Sequence, residues 1–207
     1  GLHGSLLPDY SGGVPLVWAI INGEKRTGIT LFQFDDGVDS GPIVGSLATD
    51  IALEDTIATL YARIEELGLE LLKENVPLLA RGTARFLVQD ECKRRLVPQR
   101  SPEDGSIDWN QEAGRVHDFI RAQTRPYPGA FSKFRSSRVS IWRRTLCQTS
   151  GLVLRPGELL QHEGRVMVGC GHQSVLELNE LGENGSDTSA AIWARDKSIQ
   201  ASEGFDF

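Results

Sequence analysis

Apolar positions along the chain fall into three textures. Between Leu2 and Trp18 they are scattered among Gly and Pro, which reads as loop. Pro15 can open a short helix to Ile21, because proline is tolerated at a first helical position, and Asn22-Gly23 stops it. Thr27 to Phe34 is rich in β-branched and aromatic residues and predicts a strand. Asp36-Gly37 turns the chain, and Ile43 to Ile51 predicts a further strand. From Asp55 to Leu79 the residues Ile57, Leu60, Tyr61, Ile64, Leu67, Leu71 and Leu72 recur at threes and fours, the period of one buried helical face. Glu54 and Asp55 suit the positive end of that helix dipole. Pro77 is expected to break or kink the helix, and Gly82 lies at its end.

Residues 83–109 are polar and basic and predict a connecting segment wrapped over the first domain. A second helix follows, with Asn110 as N-cap and Ala113, Val116, Phe119 and Ile120 inward. It ends before Arg125-Pro126, since proline disfavours helix at the residue preceding it. From Ala130 to Leu181 short apolar runs (Val139 to Trp142, Leu152 to Leu154, Val166 to Val168, Val175 to Leu178) alternate with Gly-rich turns, which predicts a small β-barrel or sandwich. The stretch from Gly182 is rich in Gly, Ser, Asn and Asp and is expected to be a mobile tail. The expected divisions are therefore 1–90, a connecting segment and helix over 91–125, a small β-barrel over 126–181, and the tail 182–207.

Composition narrows the class. A chain of 207 residues with 40% hydrophobic content can build one large domain or two small ones. A net charge of −6 argues against broad nucleic-acid binding. No apolar run approaches the ~20 residues of a membrane span, and no secretory signal is visible, since residue 1 already sits inside a motif. Cys92, Cys147 and Cys170 are odd in number and far apart, which fits neither a disulfide framework nor a metal site. Buried thiols in a reducing, cytoplasmic setting are expected, with no metal.

Chemistry concentrates in the first forty-one residues. His3 opens the run His3-Gly4-Ser5-Leu6-Leu7-Pro8, with Gly12, Gly13 and Pro15 beyond; Asp39 lies in Asp35-Asp36-Gly37-Val38-Asp39-Ser40-Gly41. An imidazole and a carboxylate on Gly-rich loops flanking one strand suit proton transfer. Asp35 and Asp36 read as turn residues, His117, His162 and His172 as structural or surface groups, and Trp18, Trp109 and Trp142 as core anchors. Lys93 to Arg95 reads as a solvated or interdomain patch.

Three blocks in order carry a resemblance over about residues 1–180. They are His3 to Pro8 with its Gly-Pro loop; Thr27-Gly28-Ile29-Thr30-Leu31 running into Asp35 to Gly41; and Ile107-Asp108-Trp109, Ile120-Arg121-Ala122 and Pro126-Tyr127-Pro128-Gly129-Ala130-Phe131. The chain resembles the folate-dependent formyltransferases, among them the amino-sugar and methionyl-tRNA enzymes. The resemblance implies an α/β fold: the C-terminal part of a Rossmann-like catalytic domain, then a small OB-like β-barrel domain. It implies 10-formyltetrahydrofolate as donor, with Ser5, Leu6, Leu7 and Pro8 and the backbone of Asp35, Asp36, Gly37 and Val38 beside it. His3 and Asp39 become catalytic, and Tyr10, Gly12 and Pro15 would face the amine substrate.

The same resemblance implies two departures. The family's Rossmann-like half would precede residue 1, and its catalytic trio has an Asn two positions before the His, where Gly1 stands. Loss of one oxyanion donor typically costs about 10²–10³ in rate, so the chain as it stands is expected to be impaired or inactive. The acceptor stays open between three readings. Acidic residues outnumber basic ones toward the C-terminus, which favours the primary amine of a nucleotide-linked amino sugar over methionyl-tRNA. A non-catalytic remnant with only a binding role is the third. The sequence leaves the oligomeric state open.

Overall fold

Local signals set most of the first hundred residues of the computed structural model, which describes residues 1–147 and 151–206. Two compact units are present, Gly1–Arg100 and Ser101–Phe207. This division replaces the expected boundaries at 90 and 125, because residues 91–100 hold to the first unit and 101–125 to the second.

In the first unit the elements are β1 (Leu2–His3), β2 (Ser11–Gly12), α1 (Pro15–Ile21), β3 (Arg26–Phe32), β4 (Ile43–Asp50), α2 (Ile57–Ala80) and β5 (Leu96–Val97). The sheet runs β1-β3-β4 with both pairings antiparallel. Helix α2 lies across β3 and β4 and buries Ile57, Leu60, Ile64 and Leu71. Gly68 permits that crossing: a Cβ there would come within 2.9 Å of Ile29 Cδ1. The helix begins at Ile57, two residues after the expected Asp55, because Thr56 and Thr59 form a reciprocal capping box. Asp55 is drawn out of the helix instead. Its buried carboxylate accepts from Ala52 N–H at 2.8 Å and from Arg63 at 2.8 and 3.0 Å. Burial alone would push that carboxyl up, but these bonds outweigh it and hold it below the usual carboxylate range. Pro77 does not break α2, which runs on to Ala80. A proline so near the end forfeits one bond in the last turn only, and Gly82 (φ +68°) then closes the helix.

In the second unit, α3 (Ala113–Gln123) precedes β6 (Ala130–Phe134), β7 (Ser137–Leu146), β8 (Leu159–His162), β9 (Arg165–Gly169), β10 (Val175–Glu183), β11 (Ser186–Ser189) and α4 (Ala190–Lys197). Asn110 does not cap α3; it donates to the Asp108 carboxylate, and Ser174 Oγ accepts from the Ala113 N–H at 2.8 Å. The sheet order is β6-β7-β10-β9-β8, with β11 paired to β10. Among the described residues this sheet does not close as the expected barrel would. Its edge β6 and the residue just before β8 meet the terminal stretch 204–206 through isolated bridges, Lys133 with Asp206 and Glu158 with Gly204. The expected strand at Leu152 to Leu154 is irregular chain.

The expected mobile tail is ordered structure. Trp193 and Phe205 are buried in the core of this unit with Trp109, Phe134 and Ile141. Phe205 stacks on Trp109 at 5.4 Å between ring centroids, and Trp193 meets Phe134 at 4.9 Å. Two large aromatic side chains outweigh the polar composition around them. Of the three expected buried thiols only Cys170 is buried, its thiol pushed up to about 12 by that burial; Cys92 is exposed and Cys147 half-buried. Trp18 and Trp142 are half-buried rather than core anchors.

Candidate active site

The His3 loop is fixed by one strand residue. Thr30 of β3 is buried; its hydroxyl donates to Ser5 O at 2.7 Å and accepts from the Leu7 N–H at 3.1 Å. Gly28, two residues earlier, lets Leu6 lie against the strand, since a Cβ there would sit 2.5 Å from Leu6 Cδ2. Ser5 and Leu7 are buried, and Ser5 Oγ donates to Asp9 O at 2.7 Å, whereas Leu6 and Pro8 are half-buried.

His3 sits on β1 with its ring 10% exposed; Asp39, 21% exposed, faces it from the β3–β4 connection. His3 Nδ1 and Asp39 Oδ2 are 3.4 Å apart, longer than a settled hydrogen bond. His3 Nε2 lies 2.8 Å from the Tyr10 carbonyl, so Nε2 carries a proton there. Asp39 Oδ2 also accepts the Gly12 N–H at 2.8 Å. His3 and Asp39 are thus brought together, and Tyr10 and Gly12, expected to face the amine substrate, join them in one network through their backbones.

Tyr10 enters that network only through its carbonyl. Its side chain is buried, donating to Glu24 Oε1 at 2.8 Å and accepting from Asn22 Nδ2 at 3.0 Å, and burial pushes the phenol up to about 12. Pro15 is the first residue of α1 and supplies backbone geometry. On the other loop, the Asp35 carboxylate accepts from Gly37 N–H and Ser40 Oγ, a turn role as expected of it. Asp36, Gly37 and Val38 are exposed beside Phe34. At position 1, where the family's Asn would stand, a Cβ would come 2.3 Å from Phe34 Cζ. That ring is exposed and would have to swing aside.

Sequence reasoning missed the second layer. Gln89 Nε2 donates to the carbonyls of Asp39 (2.8 Å) and Gly41 (2.7 Å). Arg94 donates to Val38 O. Arg95 forks onto Asp9 at 2.8 and 2.9 Å, reaches Glu24 at 2.9 Å, and stacks 3.9 Å over the Tyr10 ring. The run Lys93 to Arg95 is therefore not a solvated patch throughout. No pattern in the sequence marks Gln89; the basic run was the only signal for the arginines. Among the described residues no three His, Cys, Asp or Glu side chains gather as metal ligands would.

Residues 1–76 match the family model described as formyl transferase, and residues 100–197 match the formyl transferase C-terminal domain. The chain belongs to the formyltransferase family. HypX from Aquifex aeolicus in complex with tetrahydrofolic acid has a similar structure (TM-score 0.73, 20% identity, covering 100% of this chain and 38% of that one). So has the N-formyltransferase from Helicobacter canadensis solved with folinic acid and dTDP-3-aminofucose (TM-score 0.71, 21% identity, 86% of this chain and 64% of that one). Methionyl-tRNA formyltransferase from Clostridium thermocellum aligns with TM-score 0.61 and 25% identity over 72% of this chain and 63% of that one. This formyltransferase chain thus spans between 38% and 64% of the length of these relatives. Its residues 77–99, which carry Gln89 and Arg95, lie between the two family matches.

Proposed function

We propose that the full-length protein transfers a formyl group from 10-formyltetrahydrofolate to the primary amine of a nucleotide-linked amino sugar, in the cytoplasm and with no metal. The observation that carries the reaction is the His3–Asp39 pair, 3.4 Å apart and held from both sides by backbone. The loop bearing Asp39 fits a flat, partly apolar donor. Phe34 and Val38 are 74% and 54% exposed on it. The carbonyls of Asp35 and Asp36 carry no hydrogen bond among the described residues, which leaves them for a heterocycle edge. Ser5, Leu6, Leu7 and Pro8 would line the donor's other side, mainly through backbone.

When bound, the donor supplies a formyl carbonyl open to attack by an amine. The Nε2 side of His3 is anchored on Tyr10 O, so the working side is Nδ1. Its contact with Asp39 is loose enough for Nδ1–H to turn toward an oxygen on which charge develops. The Asp39 carboxylate can receive the proton that the attacking amine sheds, and that proton would pass to the donor nitrogen as its bond to the formyl carbon breaks and tetrahydrofolate leaves. Gly12 N–H keeps that carboxylate in place, and the acceptor would approach along Tyr10, Gly12 and Pro15.

Charge pairing in the second unit supports a small acceptor. Arg121 faces Asp118, Arg125 faces Asp187, Arg135 faces Glu203, Arg155 faces Glu158, Arg165 faces Glu177 and Lys197 faces Glu183. Cations so neutralised make a poor face for a polyanion. The test gives the full-length protein 10-formyltetrahydrofolate with a panel of amino-sugar nucleotides or with methionyl-tRNA, and follows tetrahydrofolate release. Turnover on a sugar nucleotide is expected. Turnover on methionyl-tRNA alone replaces the acceptor, and none on either overturns the reaction and leaves a binding remnant.

A further inference from the structure

We infer that Gln89 and Arg95 are positioning residues that set the approach of Asp39 to His3, through one segment, residues 89–97, that neither family match covers. The inference rests on the formyl-transfer reading for its kinetic effect, but its geometry stands on contacts alone.

Asp39 holds a left-handed backbone, φ +52°, which a non-glycine residue keeps only when its surroundings impose it. Gln89 imposes it. The residue is buried (8% exposed), and both hydrogens of Nε2 are committed, one to Asp39 O and one to Gly41 O. Two carbonyls as partners fix which end of the amide is nitrogen. The other end, Oε1, is buried with no partner among the described residues. A buried acceptor left unsatisfied is costly, so it marks a group held for what its opposite end does. On the His3 side, Tyr10 is also left-handed, φ +54°, and presents its carbonyl to His3 Nε2. Arg95 clamps that turn by forking onto Asp9 and stacking on the Tyr10 ring. Between the two, β5 pairs in parallel with β2, which places the Gly12 N–H on the Asp39 carboxylate. One short segment therefore holds His3's anchor, Asp39's backbone and Asp39's carboxylate.

The experiment compares Gln89→Met, which preserves buried volume, Gln89→Glu, which cannot donate to two carbonyls, and Arg95→Lys, which can neither fork nor stack, in the full-length protein. Each should lower kcat about 10- to 100-fold with KM changed less than about 3-fold. In an Asp39→Ala background the Gln89 substitutions should cost less than about 2-fold, because the group they position is gone. Losses that multiply in that background identify a merely structural role and overturn the inference. A second readout needs no turnover. In the ligand-free protein, the His3 ring NMR signals should shift in Gln89→Met while those of His117 in the second unit stay put. Unmoved His3 signals overturn the positioning role. Shifted signals in a protein inactive on every acceptor uphold it and refute only the reaction.

Discussion

The backbone N–H of Gly12 meets the carboxylate of Asp39 at 2.8 Å, joining two loops that lie on either side of β3. No other residue fits easily at position 12. Gly12 has φ +98°, and a Cβ on it would lie 2.5 Å from Val97 O across the β2–β5 pairing. Gly12→Ala should therefore lower stability by about 1–3 kcal/mol from backbone strain and lower kcat as the Asp39 carboxylate loses its donor. Urea unfolding and steady-state kinetics on the same variant check both; an unchanged unfolding midpoint would show that the pairing yields without strain.

Asp39→Asn separates charge from shape. The amide oxygen can still accept the Gly12 N–H, so the fold should change by less than about 1 kcal/mol, as for most substitutions that break no buried network. Without the carboxylate the site loses its proton acceptor beside His3, and kcat should fall about 10²–10⁴-fold, the range for a lost acid–base group. His3→Ala should fall as far, and the double variant should fall little further, because the two groups act as a unit. A full loss of stability in Asp39→Asn would instead make the carboxylate a structural group.

What the sequence made legible was local. Pro15 and Asn22-Gly23 bracket α1 at its observed ends, and the β-branched run predicts β3, because each signal acts within a few residues of itself. His3 and Asp39 were legible as a pair through motif spacing and chemistry. Gln89 was not: a lone glutamine carries no pattern, and its partners lie 48 and 50 residues earlier. The C-terminal stretch misled for the same reason. Its polar composition was local, whereas the contacts that order it, Phe205 on Trp109 and Trp193 on Phe134, are made at long range.

Phe205 gives that stretch a measurable weight. It is buried, stacks on Trp109, and meets Phe134 edge-on at 6.2 Å. Phe205→Ala should destabilise the second unit by about 3–5 kcal/mol, the usual cost of emptying a core aromatic site. Calorimetry should show that transition moving down; a change under about 1 kcal/mol would return the stretch to the mobile tail that its composition suggests.

Acid should act on the second unit through His117 and Asp118 of α3. The His117 ring is buried, and burial holds its ionisation below the ordinary value despite the Asp118 carboxylate 3.5 Å away; Arg144 and Arg121 push the same way as burial. The folded state therefore refuses a proton that the unfolded chain accepts near pH 6.5. As pH falls through that value the unfolded state gains protons and stability declines. Asp118 works lower on the scale. Burial would raise its carboxyl, but the bonds from His117 and Arg121 outweigh it and keep it ionised below the usual range. Its contribution is present above the ordinary carboxylate value of about 4 and is lost as pH falls through the lower folded value. Unfolding midpoints of the second transition, followed from pH 8 to 3, should fall in two stages, and His117→Gln should flatten the upper stage while the lower one, still held by Arg121, persists in weaker form. A wild-type profile already flat between about pH 7.5 and 5.5 would mean that His117 binds its proton in the fold as readily as outside it.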